Sequence, residues 1–227
     1  MAYNFLSLVN DVNRRLNEVE LTTSNFAGAI GYYAQAKDAV NSALRHINFE
    51  QFEWPFNHVT QEETLSSGVT RYSFPSDLKS ADMDTFRIKA NTTLNNKTQK
   101  LRILSYEEYL DKYVDQEYNT QANDMPRYVF KTPDMGYGVS PAPDKAYEIV
   151  YEYYRVPVDL ESASDVPTVP EVFRHVINDG AMYYAYMFRS DLEASQLSLQ
   201  KFQQGLKDMR TIYINRYDYV RSTVVER

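Results

Sequence analysis

Tyr147-Glu148-Ile149-Val150-Tyr151-Glu152-Tyr153-Tyr154-Arg155-Val156 decides how the rest of the chain is read. It alternates with a period of two. Tyr147, Ile149, Tyr151 and Tyr153 fall on one face, and Glu148, Val150, Glu152 and Tyr154 on the other, as in a strand with one buried face. Downstream, Pro157, Pro167 and Pro170 punctuate a connector, and Pro170 suits the first position of a helix. That helix carries Val172, Phe173, Val176, Ile177, Gly180, Tyr184 and Met187 as its stripe. Ser190-Asp191 breaks and recaps the chain. A further helix runs from about Leu192, with Leu199, Phe202, Leu206, Met209 and Tyr213 at coiled-coil-like spacing.

Upstream of the alternating run the pattern stays strand-like. Val69 to Phe74 follows a Ser66-Ser67-Gly68 turn. Phe86 to Lys89 and Leu101 to Leu104 flank Asn91 to Lys97, a segment rich in Asn and Thr that reads as a hairpin loop. Ser105-Tyr106-Glu107-Glu108 reads as a capping box opening a short helix through about Tyr113 or Tyr118. A strand at Tyr128 to Phe130 follows, then a turn at Pro133 to Gly136. At the N-terminus, Phe5, Leu8, Val9, Val12, Leu16 and Val19 make one helical stripe. Thr22 to Asn25 then supplies turn and cap residues for a second helix carrying Phe26, Ile30, Tyr33, Val40, Leu44 and Ile47.

These elements predict an α+β fold. N- and C-terminal helix pairs close a four-helix bundle, and an antiparallel β-rich module is inserted between them. The expected divisions are an N-terminal helical hairpin at 1–54, the module with one short helix at 55–166, the C-terminal helical pair at 167–215 and a tail at 216–227.

Composition narrows the function. The chain of 227 residues has a formal net charge of -7, against a surface held to nucleic acid by phosphate contacts. It has no Cys, so disulfides, thiol catalysis and thiolate metal sites are excluded. No signal peptide or apolar run of about 20 residues is present, so neither export nor a membrane span is expected. There are 20 Tyr and one Trp, and Tyr suits wet subunit interfaces as well as cores.

No chemistry is legible. His46 near Glu50 and Glu53 offers too few ligands for a metal. Glu62-Glu63, Glu107-Glu108 and Asp82 with Asp84 read as solvated carboxylates in loops or at a helix start, not as an acid and base facing across a cleft. Gly136-x-Gly138 reads as a turn between strands, unsuited to phosphate. Arg210, Arg216, Arg221 and Arg227 are the densest basic set, with an acidic partner surface and plain solvation as equal readings. No catalytic residue, cofactor or metal site is expected.

From Pro141-Ala142-Pro143-Asp144 onward, through the alternating run, Pro157-Val158-Asp159-Leu160 and Asp165 to Glu171, the chain resembles the head-to-tail adaptor (connector) proteins of short-tailed bacteriophages. The two opening helices and the Ser105-to-Leu110 step fit the same order. Each motif alone is common, and their order carries the resemblance. It implies a structural virion protein of the neck, assembled in the host cytoplasm. Such a protein forms a homo-oligomeric ring, usually a dodecamer, between the portal protein and the tail nozzle protein, and DNA passes non-specifically through the lumen. It also implies a C-terminal extension docking on the portal, here Arg216, Tyr217, Tyr219, Arg221, Val224, Val225 and Arg227. Acidic residues facing the lumen would let DNA slide. Another neck or tail-completion protein, a carboxylate-based virion glycan hydrolase and a cellular helical-bundle module remain as alternatives.

Overall fold

The structure is a computed structural model that describes residues 3–51, 53–90 and 97–213. Two compact units emerge: the chain up to Phe56 together with the chain from Pro157 onward, and Asn57–Val156.

The first unit is helical. α1 (Phe5–Arg15) starts at a reciprocal cap, in which Asn4 Oδ1 accepts from the Ser7 N–H and Ser7 Oγ from the Asn4 N–H. The chain does not continue as the first arm of a helical hairpin. Asn17 takes φ 56°, and Asn10 then holds Leu21 by both its N–H and its C=O, each at 2.8 Å, folding the linker back onto α1. A short helix α2 (Thr23–Phe26) buries Phe26 edge-on against Phe5, with ring centroids 5.1 Å apart. α3 (Tyr32–Glu50) begins only after Gly31 at φ 61°. Val19 and Ile30, expected on helical stripes, lie outside both long helices.

From the C-terminal half come α6 (Arg174–Phe188), entered through a 3-10 turn at Glu171–Phe173, and α7 (Leu192–Tyr213). Ser190 at φ 58° and the Asp191 carboxylate capping the Ala194 N–H make the tight corner between them. α6 is the common neighbour of α1, α3 and α7. A Cβ on Gly180 would meet Ala43 at 2.9 Å and Phe202 at 2.8 Å, so small residues set the closeness of α3, α6 and α7. The expected four-helix bundle of N- and C-terminal pairs is therefore corrected. Helices of unequal length gather around α6, because the left-handed residues at 17 and 31 turn the first pair into a helix, an irregular wrap and a second helix. Residues of the connector join this unit: the Phe5 N–H donates to Asp165 O at 2.8 Å, and Asn41 brackets Leu160 by its N–H and C=O.

Asp11 ties α1 to α6. It accepts from Arg174 Nε at 2.7 Å and Asn178 Nδ2 at 2.8 Å, and also from Arg14. Burial alone would raise its pKa, but these hydrogen bonds and the Arg174 charge outweigh it and hold the carboxyl below its ordinary value. Asp11→Asn is expected to destabilise this unit by about 1–2 kcal/mol. The check is urea unfolding followed by fluorescence of the sole Trp, Trp54, which is buried in the same unit.

Among its described residues the second unit has eight strands: β1 (His58–Thr64), β2 (Arg71–Ser73), β3 (Leu78–Ile88), β4 (Gln99–Lys100), β5 (Arg102–Leu104), β6 (Tyr128–Lys131), β7 (Gly136–Ser140) and β8 (Glu148–Arg155). One sheet has the order β1-β8-β3-β4 and the other β2-β7-β6-β5. The chain steps from sheet to sheet at buried Leu101, whose N–H donates to Phe86 O at 2.9 Å, while the Arg102 N–H donates to Arg127 O. Phe86, Ile88, Val129, Tyr137, Val139, Tyr147, Ile149, Tyr151 and Tyr153 fill the core, with Phe86 and Tyr151 stacked at 4.4 Å. The module is not wholly antiparallel as expected. β5 and β6 run parallel, which demands a crossover, and α4 (Tyr106–Lys112) with α5 (Val114–Glu117) supply it.

Candidate docking surfaces

The residues that could carry chemistry are spread out and engaged. His46 on α3 lies with Nδ1 3.2 Å from the Tyr184 hydroxyl and its ring edge-on to Phe202. His58 Nε2 is 3.2 Å from Glu152 on the neighbouring strand. His175 is on α6, its ring 6.4 Å from that of Phe173. Glu62-Glu63 and Asp82 with Asp84 lie in β1 and β3, not in loops as expected. Glu63 accepts from the buried Tyr137 hydroxyl at 2.7 Å, and burial, reinforced by that carboxylate, pushes the Tyr137 pKa up. Gly136 and Gly138 belong to the fully buried strand β7 rather than to a turn. Among the described residues no group of three His, Cys, Asp or Glu could hold a metal ion. No described helix is long and apolar enough to cross a membrane.

Glu117 organises the crossover. Arg71 grips it with Nε at 3.0 Å and Nη2 at 3.1 Å, Thr70 donates at 2.6 Å and Tyr109 at 2.9 Å. The Tyr109 ring stacks on Phe130 at 3.9 Å, so α4 and α5 are fastened to the second sheet by one carboxylate and one aromatic stack.

What the molecule offers outward is apolar surface. In the helical unit Arg189 pairs with Glu18 at 2.5 Å and lies over the Tyr32 ring at 4.6 Å. It thereby brings the linker, the start of α3 and the α6–α7 corner to one end. Val19, Ile30 and Leu192 are 73%, 82% and 72% exposed there, beside half-exposed Met187 and Phe188. A set of exposed apolar side chains of this kind marks a contact surface on a folded protein. A second depression, between α3 and α6, is lined by Ser42, Arg45, His46, Phe49, Glu50 and Tyr184, with Phe49 exposed. In the β unit a shallow apolar groove runs along β5, lined by Met83, Ile103, Leu104, Tyr106, Pro133 and Met135. Sequence reading missed all three, because their apolar residues fall on different elements and break no local pattern.

Of the basic set, Arg210 is already occupied: it binds the Glu50 carboxylate at 2.5 Å and the Glu50 carbonyl. Arg216, Tyr217, Tyr219, Arg221, Val224, Val225 and Arg227 lie outside the described residues.

A family model described as SU10 adaptor protein matches residues 3–226. The chain belongs to this family. The match spans both units and extends through nearly all of the tail, so the adaptor is related to the family along its length and not through one unit. The resemblance to phage head-to-tail adaptors expected from the order of motifs is thus met. The adaptor is a structural protein of the phage virion that works through contacts with other virion components. No curated protein matches the chain.

Proposed function

We propose that the adaptor forms a ring that joins the portal to the tail and lets DNA pass through its lumen. The observation that carries this reading is the family match over residues 3–226. The exposed apolar end at Val19, Ile30 and Leu192 and the β5 groove support it, since both are surfaces that a neighbouring subunit or virion protein would cover. The net charge of -7 supports a lumen that repels the DNA backbone, so DNA slides without sticking. In this reading residues 216–227, which mix Arg with Tyr and Val, dock on the portal.

The test is mass photometry of the purified adaptor alone and mixed with its portal. A multi-subunit ring on the portal is the expected result, and a persistent monomer that ignores the portal overturns the reading. Deleting Ser222 to Arg227 is expected to weaken portal binding by about tenfold or more while the circular dichroism spectrum and Trp54 fluorescence stay unchanged. Unchanged binding would remove the tail from the docking surface.

A further inference from the structure

Between Thr85 and Tyr106 the chain carries five cations, Arg87, Lys89, Lys97, Lys100 and Arg102, and no carboxylate, in a protein of net charge -7. Arg87 lies near the end of β3 and Lys100 on β4, the border strand of the first sheet, while Arg102 follows on β5, at the edge of the second sheet. Arg87 and Lys100 are direct partners across the β3–β4 register, both exposed on the outer face. Like charges directly opposite destabilise a strand pair, and an acidic neighbour relieves them. Lys100 already reaches Asp84 at 2.7 Å, but among the described residues Arg87 and Arg102 make no ion pair.

The other border of the same sheet is acidic. Glu62 on β1, Val150 on β8, Arg87 on β3 and Lys100 on β4 fall in one row across four strands, acid at one end and cations at the other. Glu148 and Glu152 flank Glu62 from β8, and Lys89 bridges inward to Glu62 at 2.7 Å. Among the described residues both borders are free of a further strand. The Leu65 N–H bonds to Tyr147 O, so the odd-numbered residues of β1 face β8 while Thr60, Glu62 and Thr64 turn their backbone groups away. The Leu101 N–H bonds to Phe86 O in the same way and leaves the backbone of Lys100 turned outward. Among the described residues no strand pairs with either outer edge.

We infer that the first sheet joins two copies of this chain edge to edge, the cationic β4 border of one against the acidic β1 border of the next. The inference rests on the ring reading above and assigns its subunit contact. Two different borders meeting make a heterologous joint, the kind that closes into rings. Complementary charge sets the register, and the outward backbone groups supply the hydrogen bonds. A phosphate backbone is the poorer occupant, because Lys89 and Lys100 sit among Glu62, Glu148 and Asp84 and do not form a continuous basic track.

The experiment uses two charge-reversed full-length adaptors, R87E/K100E and E62K/E152K. Each is checked for native circular dichroism and followed by mass photometry with the portal. Each alone is expected to lose at least about tenfold of its assembled fraction. Their equimolar mixture is expected to regain it, since the reversed border of each variant then meets a border of opposite charge on the other. Either variant assembling as the wild type does, or a mixture of folded variants remaining monomeric, overturns the inference while leaving the ring reading standing. Loss of DNA retention by R87E/K100E with assembly intact also overturns it and gives the cationic border to phosphate. A wild-type protein that is monomeric with and without the portal sinks the ring reading and this joint together.

Discussion

Gly138→Val is expected to destabilise the β unit by about 3 kcal/mol or more, read as a shift of the tyrosine near-ultraviolet circular dichroism transition in urea. Gly138 and Phe130 are direct register partners on β7 and β6. A Cβ at position 138 would lie 2.2 Å from Phe130 Cζ and 2.4 Å from Cε2. The ring has no room to withdraw, because Tyr109 stacks on it at 3.9 Å and Tyr106 is 6.1 Å away. The glycine is thus needed for the close approach of an aromatic ring to a strand backbone, not for an unusual dihedral. Gly28→Ala is the matched control: a Cβ there meets nothing within 4 Å, and its effect is expected to stay within about 0.5 kcal/mol.

The second large effect is expected at Glu117. Glu117→Ala leaves Arg71, Thr70 and the Tyr109 hydroxyl without their shared acceptor, a carboxylate side chain 18% exposed beside a half-exposed Arg71. The expected loss is about 2–3 kcal/mol, below that of a fully buried pair because water still reaches the edge of the site. The effect is pH-dependent. Burial raises the Glu117 pKa, but the hydrogen bonds from Arg71, Thr70 and Tyr109 and the charge of Arg71 outweigh it and hold the carboxyl below its usual value. A depressed folded-state pKa contributes stability that is fully present above the unfolded value of about 4.3 and is lost as pH falls through the folded one. The gap between wild type and Glu117→Gln is therefore expected to be widest near pH 7 and to close toward pH 3. A gap independent of pH would mean that the carboxylate charge is not what fastens α4 and α5.

Strong periodicity was legible in the sequence. The alternation of Tyr147, Ile149, Tyr151 and Tyr153 is matched by four buried side chains, Tyr147 just ahead of β8 and the other three on it, and Phe202, Leu206 and Met209 are buried on α7. The Ser105 cap forms, with its hydroxyl accepting the Glu108 N–H at 3.1 Å. What was not legible has identifiable causes. The helical stripe runs on to Val19, but Asn17 enters the left-handed region four residues after Asn13, and periodicity carries no mark of that turn. β1 reads His58-Val59-Thr60-Gln61-Glu62-Glu63-Thr64, with no apolar alternation. As a border strand it turns only Val59 among its inward residues to the core as an apolar side chain; Gln61 and Glu63 share that face, and Glu63 accepts from Tyr137, 74 residues away. β7 looked like a turn because of its two glycines, but both serve close packing: Gly138 against the Phe130 ring and Gly136 against the Tyr72 carbonyl and the Thr132 hydroxyl. The parallel pairing of β5 with β6 is a tertiary choice that no local pattern encodes.

The candidate surfaces were less legible than the fold. The five cations between Thr85 and Tyr106 stand in plain sequence, yet a net charge of -7 averages them away. Only the strand register sets Arg87 beside Lys100 and Glu62 at the far end of the same row. Docking by the Arg-Tyr tail is implied by the resemblance and not by its composition, and the tail lies outside the described residues, so its role rests on the proposed deletion.

The register of β1 with β8 has a bearing on ancestry. His58 and Tyr154 are paired neighbours, so the chain enters and leaves the β unit at adjacent points. A hundred-residue excursion that begins and ends at one spot is a removable cassette: the helical unit needs only a short bridge to close without it. Selection can rewrite the sheet borders, lengthen the hairpin or exchange the whole cassette while the helices gathered around α6 stay as they are. Adaptors for different neighbours could diversify in this way from one helical frame.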